Sequence, residues 1–368
     1  MKIAFVTGWG VVPQNGGQGT FCACLVRQLA RRGHTVSVLS RNLESWNQWA
    51  ADVRLDGDVK FQRPNRAALL ACDVVHLNGP GVRQLALTAW LKRPTVVTHQ
   101  GYHLCCPEGT AWHPTGCDVS LGRLGPCEGC RWRTPLAHMH LQVQSRLVRF
   151  ARNVAVSDCV RTRLDLDQTV LNPYDVGVVP DLSSAAVERK LAFIGRLVPE
   201  KGPQIAIEAL SHLSDVTLDI YGQGVMEPEL RRLAEHLGLT DRVRFRGMVP
   251  SPVVDAASAA AIAVPGLWDE PLGYVTIEAM AAGKAVIATA IGGSLELVTE
   301  DRGWLVRPGD PADLARALDQ VLRRPAERIA RGSRAREFIR ATLDPVHTAE
   351  QYEDIYRRQV QRFEAAGG

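Results

Sequence analysis

Short apolar runs alternate with longer stretches of helical periodicity almost from end to end of the chain, the pattern of parallel strands covered by helices. Lys2 to Gly8 reads as a buried strand, and a loop carrying Gly16-Gly17-Gln18-Gly19 follows it. Thr20 to Arg32 then reads as a helix, because Phe21, Leu25 and Leu29 share one face and Gly33 supplies a stop. Further strands are expected at Thr35 to Leu39, Val74 to Leu77, Thr95 to Thr98 and Val154 to Val156.

The pattern restarts at Leu191-Ala192-Phe193-Ile194, with a helix near Gln204 to Leu210. Strands recur at Thr217 to Tyr221, Val243 to Phe245, Ile262 to Val264 and Val286 to Ala288, and a helix is read over Ser251 to Ser258. The fold class is therefore α/β, with two Rossmann-like, doubly wound domains at residues 1–170 and 190–345. The stretch 171–189 carries Pro173, Pro180 and a Ser-Ser pair and is taken as the linker. Residues 346–368 hold a last helix, about Thr348 to Phe363, whose Tyr352, Ile355 and Tyr356 share a face, so it is expected to pack back on the first domain. Two such halves facing each other leave a cleft at the carboxyl ends of their strands, where ligands of open α/β sheets sit.

The length of 368 residues suits two domains. With 46% hydrophobic and 22% charged residues the composition is that of an ordinary globular protein. A net charge of +4 gives no dense basic stripe, so no nucleic-acid partner is expected. No apolar run reaches the roughly 18 residues of a membrane span, and the apolar start is too short for a signal peptide, so a cytoplasmic protein is expected. Nine cysteines, an odd number in a long chain, argue against a secreted disulfide framework.

Two constellations carry candidate chemistry. In Phe193-Ile194-Gly195-Arg196-Leu197-Val198-Pro199-Glu200-Lys201-Gly202 a strand ends at glycine and two cations follow five residues apart. They suit either one diphosphate, with Gly195 and Gly202 keeping side chains clear, or a solvated turn. In Trp268-Asp269-Glu270-Pro271-Leu272-Gly273-Tyr274-Val275-Thr276-Ile277-Glu278 two glutamates stand eight positions apart. Thr276 to Ala282 reads as a helix whose first-turn amides suit phosphate. Carboxylates accept from vicinal hydroxyls, so one glutamate suits a sugar and the other a ribose; alternatively Glu270 serves the helix dipole and Glu278 a wet face.

In this combination the chain resembles glycosyltransferase family 4, of the GT-B fold, over nearly its full length. The resemblance rests on Gly16-Gly17-Gln18-Gly19, Gly33-His34-Thr35-Val36, Ala155-Val156-Ser157 and Phe193 to Gly202. It continues through Tyr221-Gly222-Gln223-Gly224, Val243-Arg244-Phe245-Arg246-Gly247, the paired glutamates, and Gly292-Gly293 with Glu296-Leu297-Val298. It implies a retaining transferase that moves a hexose-type sugar from a nucleotide diphosphate, UDP or GDP, to an unidentified acceptor. Arg196 and Lys201 match the diphosphate binders, Glu270 the glutamate on the sugar, and Glu278 the one on the ribose. Leu272 and Gly273 would present amides to the phosphates, Met248 and Val249 would border the base, His99 would face the sugar, and Gly17 would bring backbone near the phosphates. The Ala- and Val-rich stretch Ser251 to Ser258 departs from the family, which is usually more polar there.

The implied mechanism needs no catalytic cofactor. Negative charge grows on the departing diphosphate, and Arg196, Lys201 and the helix start at Gly273 would stabilise it electrostatically in place of a metal. No carboxylate is clearly placed as a covalent nucleophile, so front-face attack assisted by the leaving phosphate is favoured. Rival readings fare worse. A nicotinamide dehydrogenase needs Gly-x-Gly-x-x-Gly after a strand, and Gly8-Trp9-Gly10-Val11-Val12-Pro13 breaks it. A sugar-nucleotide epimerase or hydrolase of the same fold would act without an acceptor. A non-catalytic binding module would not need so complete a donor site.

Two features lie outside this scheme. Arg131 to Arg152 holds five arginines and no acid, with Leu136, Met139, Val143, Leu147 and Phe150 as a possible apolar face. Packing on the first domain is the favoured reading, and contact with an anionic membrane surface the other. Cys105, Cys106, Cys117, Cys127 and Cys130 cluster in a Gly- and Pro-rich insertion. Cys127-Glu128-Gly129-Cys130 has the spacing of a tetrahedral metal hook, so one reading is a structural zinc on Cys106, Cys117, Cys127 and Cys130, with His103 and His113 as spare ligands, and the other a loop of free thiols or a disulfide.

Overall fold

The computed structural model describes residues 1–8, 11, 16–79, 81–106, 111 and 135–367. It contains two compact units, Met1–Asp175 with Leu343–Gly368, and Val176–Thr342.

In chain order the first unit comprises β1 Lys2–Val6, α1 Gly16–Arg31, β2 Thr35–Leu39, α2 Leu43–Asp52, β3 Val59–Gln62, α3 Arg66–Leu70 and β4 Val74–Asn78. It continues with α4 Val82–Trp90, β5 Thr95–His99, α5 Pro135–Leu147, β6 Arg152–Ala155, α6 Asp158–Leu164 and β7 Gln168–Thr169. The seven strands form one parallel sheet in the order β3-β2-β1-β4-β5-β6-β7. Its central strands read as continuous apolar runs because helices cover both faces: Ile3, Phe5, Val36, Val38, Val74 and Val96 are all fully buried.

The second unit holds β8 Glu188–Ile194, α7 Pro203–Ala209, β9 Thr217–Tyr221, α8 Glu227–His236, β10 Val243–Gly247, α9 Pro252–Asp255 and β11 Ala259–Val264. Then come α10 Tyr274–Ala281, β12 Val286–Thr289, α11 Ser294–Leu297, β13 Trp304–Val306, α12 Pro311–Arg323 and α13 Pro325–Thr342. The strand order, β10-β9-β8-β11-β12-β13, is the Rossmann order, with its switch point between β8 and β11.

The last helix, α14 Pro345–Ala365, belongs to the first unit. Tyr352 and Tyr356 are fully buried, and Tyr352 stacks on His76 with ring centroids 5.2 Å apart. The His76 ring is held by Tyr356 Oη at 2.6 Å and Thr98 Oγ1 at 2.9 Å. Glu353, 3% exposed, accepts from Arg32 Nε at 2.5 Å and meets His34 Nε2 at 2.8 Å, which fixes the helix against the end of α1.

Two local expectations are corrected. Residues 16–19 form the first turn of α1 instead of a loop. The helix expected over Ser251 to Ser258 is a single turn, and the alanines from Ala259 enter β11. Alanine is an excellent helix former, but this segment lies between β8 and β12, where its small side chains are fully buried and the ladder decides.

Candidate functional site

In the second unit the loops after β8, β9 and β10 lock together at the carboxyl edge of the sheet. Gly195 N donates to Tyr221 O at 2.9 Å, and Gly222 N to Gly247 O at 2.8 Å. A Cβ on Gly222 would lie 1.9 Å from Gly195 O, so only glycine allows this approach. Beyond Gly195 the chain makes one tight turn over Pro199–Lys201 and closes it at Gly202. Leu267 N donates to Glu200 O at 2.8 Å, which stitches this turn to the segment after β11.

Lys201 and Glu270 meet there. Lys201 Nζ lies 2.5 Å from Glu270 Oε1, both side chains about one-fifth exposed, and 5.3 Å from the centre of the Trp268 ring. Three residues past Glu270 the chain enters α10, with Gly273 at its cap. Gly292 and Gly293 form the seat for this loop: Gly293 N donates to Glu270 O at 2.7 Å, and a Cβ there would lie 2.4 Å from Pro271 O. One cation, one carboxylate and a helix start thus come together, which suits a sugar diphosphate: the ammonium keeps further N–H donors beyond the one on Glu270, and the free amides of the helix start favour an anion.

Glu278 lies farther along α10. Burial raises its pKa to about 7, and its carboxylate has no partner among the described residues. Thr276, between the two glutamates, is 1% exposed, with Oγ1 unbonded. Arg196 is not drawn into the cluster; its side chain is 64% exposed and reaches Glu200 at 3.5 Å. Leu272 is buried in the loop, Met248 is 70% exposed just past β10, and Val249 is half-buried.

Gly17 and His99 belong to the first unit, Gly17 in the first turn of α1 and His99 as the last residue of β5. Asn153 Nδ2 donates to Val148 O and Ala151 O at 3.1 Å each, so its Oδ1 faces His99 and accepts from Nε2 at 2.9 Å. The ring therefore carries its proton on Nε2 and keeps Nδ1 as an acceptor. Burial lowers its pKa to about 4, so it is neutral at physiological pH. Cys106 is buried, whereas Cys117, Cys127, Cys130 and His113 lie outside the described residues.

Trp268, Thr276 and Asn153 were not singled out from sequence as site residues. Trp268 stands two positions before Glu270, but Asn153 is 54 residues from its partner and only the pairing of β5 with β6 brings them together.

Comparison with known proteins places this geometry. The two parallel sheets are those of the GT-B fold. Anabaena HepE in complex with UDP superposes with a TM-score of 0.74 at 22% identity, covering 96% of this chain and 99% of that one. Sucrose-phosphate synthase from Thermosynechococcus elongatus superposes with a TM-score of 0.72 at 20% identity, covering 99% and 100%. Residues 181–338, within the second unit, match the family model described as glycosyl transferases group 1. The chain is 34% identical over 216 residues to a D-inositol 3-phosphate glycosyltransferase of Mycolicibacterium paratuberculosis, 56% of this chain and 48% of that one. It is 32% identical over 166 residues to the 2-deoxystreptamine glucosyltransferase of Streptomyces kanamyceticus, 43% of each. The matches span about half the length of these curated relatives.

Proposed function

We propose that this protein is a retaining glycosyltransferase that moves a hexose from a nucleotide diphosphate to an acceptor hydroxyl. The observation that carries the reading is the Lys201–Glu270 pair at 2.5 Å beside the start of α10, with the half-buried Glu278, unpartnered among the described residues, on the same helix. Lys201, Arg196 and the amides at Leu272 and Gly273 take the diphosphate, Glu270 the sugar hydroxyls and Glu278 the ribose diol. Gly195 and Gly202 keep the phosphate turn free of side chains, and Met248 and Val249 border the base. In the first unit, Gly17 offers a first-turn amide to the phosphates and His99 offers Nδ1 to a sugar hydroxyl. As the bond from C1 to the phosphate oxygen breaks, the fixed cation and helix start stabilise the negative charge. The acceptor oxygen bonds C1 on the same face, and its proton passes to the departing phosphate. The HepE structures with UDP and UDP-glucose make UDP-glucose the first donor to try.

The test is donor turnover across uridine and guanosine diphosphosugars, with and without a panel of hydroxyl acceptors, in the presence of chelator. Acceptor-dependent transfer that survives chelation is expected. Donor consumption at one rate with or without acceptor would mean a hydrolase or epimerase, and a strict need for added magnesium or manganese would refute the role given to the cations.

The Glu278 carboxyl sets a pH dependence. Ribose hydroxyls donate to its ionised form, so donor binding weakens as pH falls through about 7. The KM for the donor should rise by up to about tenfold per pH unit below that point, and Glu278→Gln should flatten the profile. The stability effect has the opposite sign: burial penalises the charged form, so this residue costs stability as pH rises from 4.5 toward about 7. A wild-type KM that stays level from pH 8 down to pH 5, well beyond the ~1-unit span of a single titration, would remove Glu278 from the ribose.

The cysteine cluster is proposed to hold a structural zinc through Cys106, Cys117, Cys127 and Cys130, on the spacing of Cys127 and Cys130. Protein purified without added zinc should carry about one equivalent, because structural zinc binds tightly. Metal below about a tenth of an equivalent, with all five thiols titrating freely, would overturn it.

A further inference from the structure

We propose that the amino-terminal edge of the first unit's sheet docks on an anionic lipid surface. A cavity of about 500 Å³ opens there, floored by Leu85, Ala89, Leu147 and Phe363. Its rim carries Lys92, Arg93, Arg149 and Arg362, and among the described residues no carboxylate side chain lines it. Lys92, Arg149 and Arg362 have no ion-pair partner among the described residues. The Nε of Arg93 is buried without a hydrogen bond. A second recess of about 210 Å³ shares Arg362 and adds Arg152 and Arg358. Among the described residues only Arg152 of these is answered by an acid, Asp167 at 3.5 Å.

Helices α4 and α5, which contribute to its lining, also expose apolar side chains. Helix α5 buries Leu141 and even Gln144, at 6% and 5% exposure, and leaves Met139 and Val143 exposed. Phe150, at the end of the turn that follows α5, lines the cavity and is 71% exposed. Trp90, the last residue of α4, is 66% exposed, with the Arg66 guanidinium 4.8 Å from its ring centre. Helix α5 therefore hides Leu141 and Gln144 together and turns Met139 and Val143 outward. Exposed aromatic rings beside unanswered cations suit a headgroup layer: phosphates meet the cations, and the rings enter the acyl boundary. A soluble anion would satisfy the cations but leave the rings in water. The face lies where β5 and β6 begin, at the opposite edge of the sheet from His99, so occupancy does not obstruct that end of β5.

The test is sedimentation of the full chain, without donor, with phosphatidylcholine vesicles and with vesicles that also contain phosphatidylglycerol. Binding is expected only to the second kind, weakening as salt is raised. Arg149→Gln and Arg362→Gln should each lower the partition coefficient about fivefold, from ~1 kcal/mol per cation at 1.4 kcal/mol per decade. Phe150→Ser should lower it about tenfold or more. All three side chains lie outside the donor machinery, so donor turnover should be unchanged and verifies the fold. Equal binding to both vesicle types, no binding to either, undiminished binding by the triple variant, or loss of binding to inorganic phosphate at matched phosphorus would each overturn the proposal. None of these results bears on the donor site.

Discussion

Lys201→Ala and Glu270→Ala should each lower kcat by about 100- to 1000-fold, the loss seen when one fixed partner of a developing charge is removed. Both side chains are partly wet, at 21% and 18% exposure, so the group left behind is re-solvated and the fold should survive. Because they share one contact, the double variant should lose less than the product of the single losses. The two changes should separate in the substrate they disturb. Lys201→Ala removes charge from the diphosphate and should weaken inhibition by the free nucleotide diphosphate. Glu270→Ala removes an acceptor from the sugar and should leave that inhibition nearly intact. Steady-state kinetics at saturating donor, with thermal unfolding as the fold control, decides the matter; near-normal kcat in both would take the pair out of the reaction.

How far these features were legible beforehand depended on what determines each one. Strands β1, β2, β5, β8 and β9 announce themselves because burial on both faces demands short, mainly apolar segments. The short edge strands β3 and β7 give no such run: Val59–Gln62 is half-buried or exposed, and Gln168–Thr169 is two residues long. Strand β11 is expected only from Ile262, because alanine is a poor strand former locally, and its place between β8 and β12 draws Ala259 to Ala261 into the ladder. At the site, the spacings that set Lys201 after Gly195 and Glu278 after Glu270 are local and readable. The Lys201–Glu270 contact joins residues 69 apart, and Trp268 under Lys201 depends on the same tertiary approach. The orientation of α5 was illegible for a related reason, since a buried Gln144 on a helix that exposes Met139 and Val143 inverts the ordinary reading of an amphipathic helix.

Gly202→Ala should be the most damaging single methyl group in the turn from Gly195 to Gly202. Gly202 sits at φ +70°, and a Cβ built there falls 2.0 Å from the Pro265 carbonyl oxygen. The left-handed conformation alone costs a side chain about 1–2 kcal/mol, and forcing an atom into a packed contact adds about 1–3 kcal/mol. Gly238 isolates the first contribution: its φ is +65°, and nothing lies within 4 Å of its Cβ position. For a domain of this size each kcal/mol shifts Tm by about 2–4 °C, so Gly238→Ala should lower it by roughly 2–8 °C and Gly202→Ala by roughly 4–20 °C. The Pro265 carbonyl cannot simply retreat, because the Leu267 N to Glu200 O bond ties the same two segments together. The displaced backbone is then that of Lys201, and if Lys201 acts as proposed, a shift on the order of 1 Å there can cost about 100-fold in rate. Gly202→Ala should therefore lose activity even below its Tm, whereas Gly238→Ala should keep it. Equal Tm losses in the two variants, with activity retained in both, would mean that the close approach to Pro265 does not hold the turn in place.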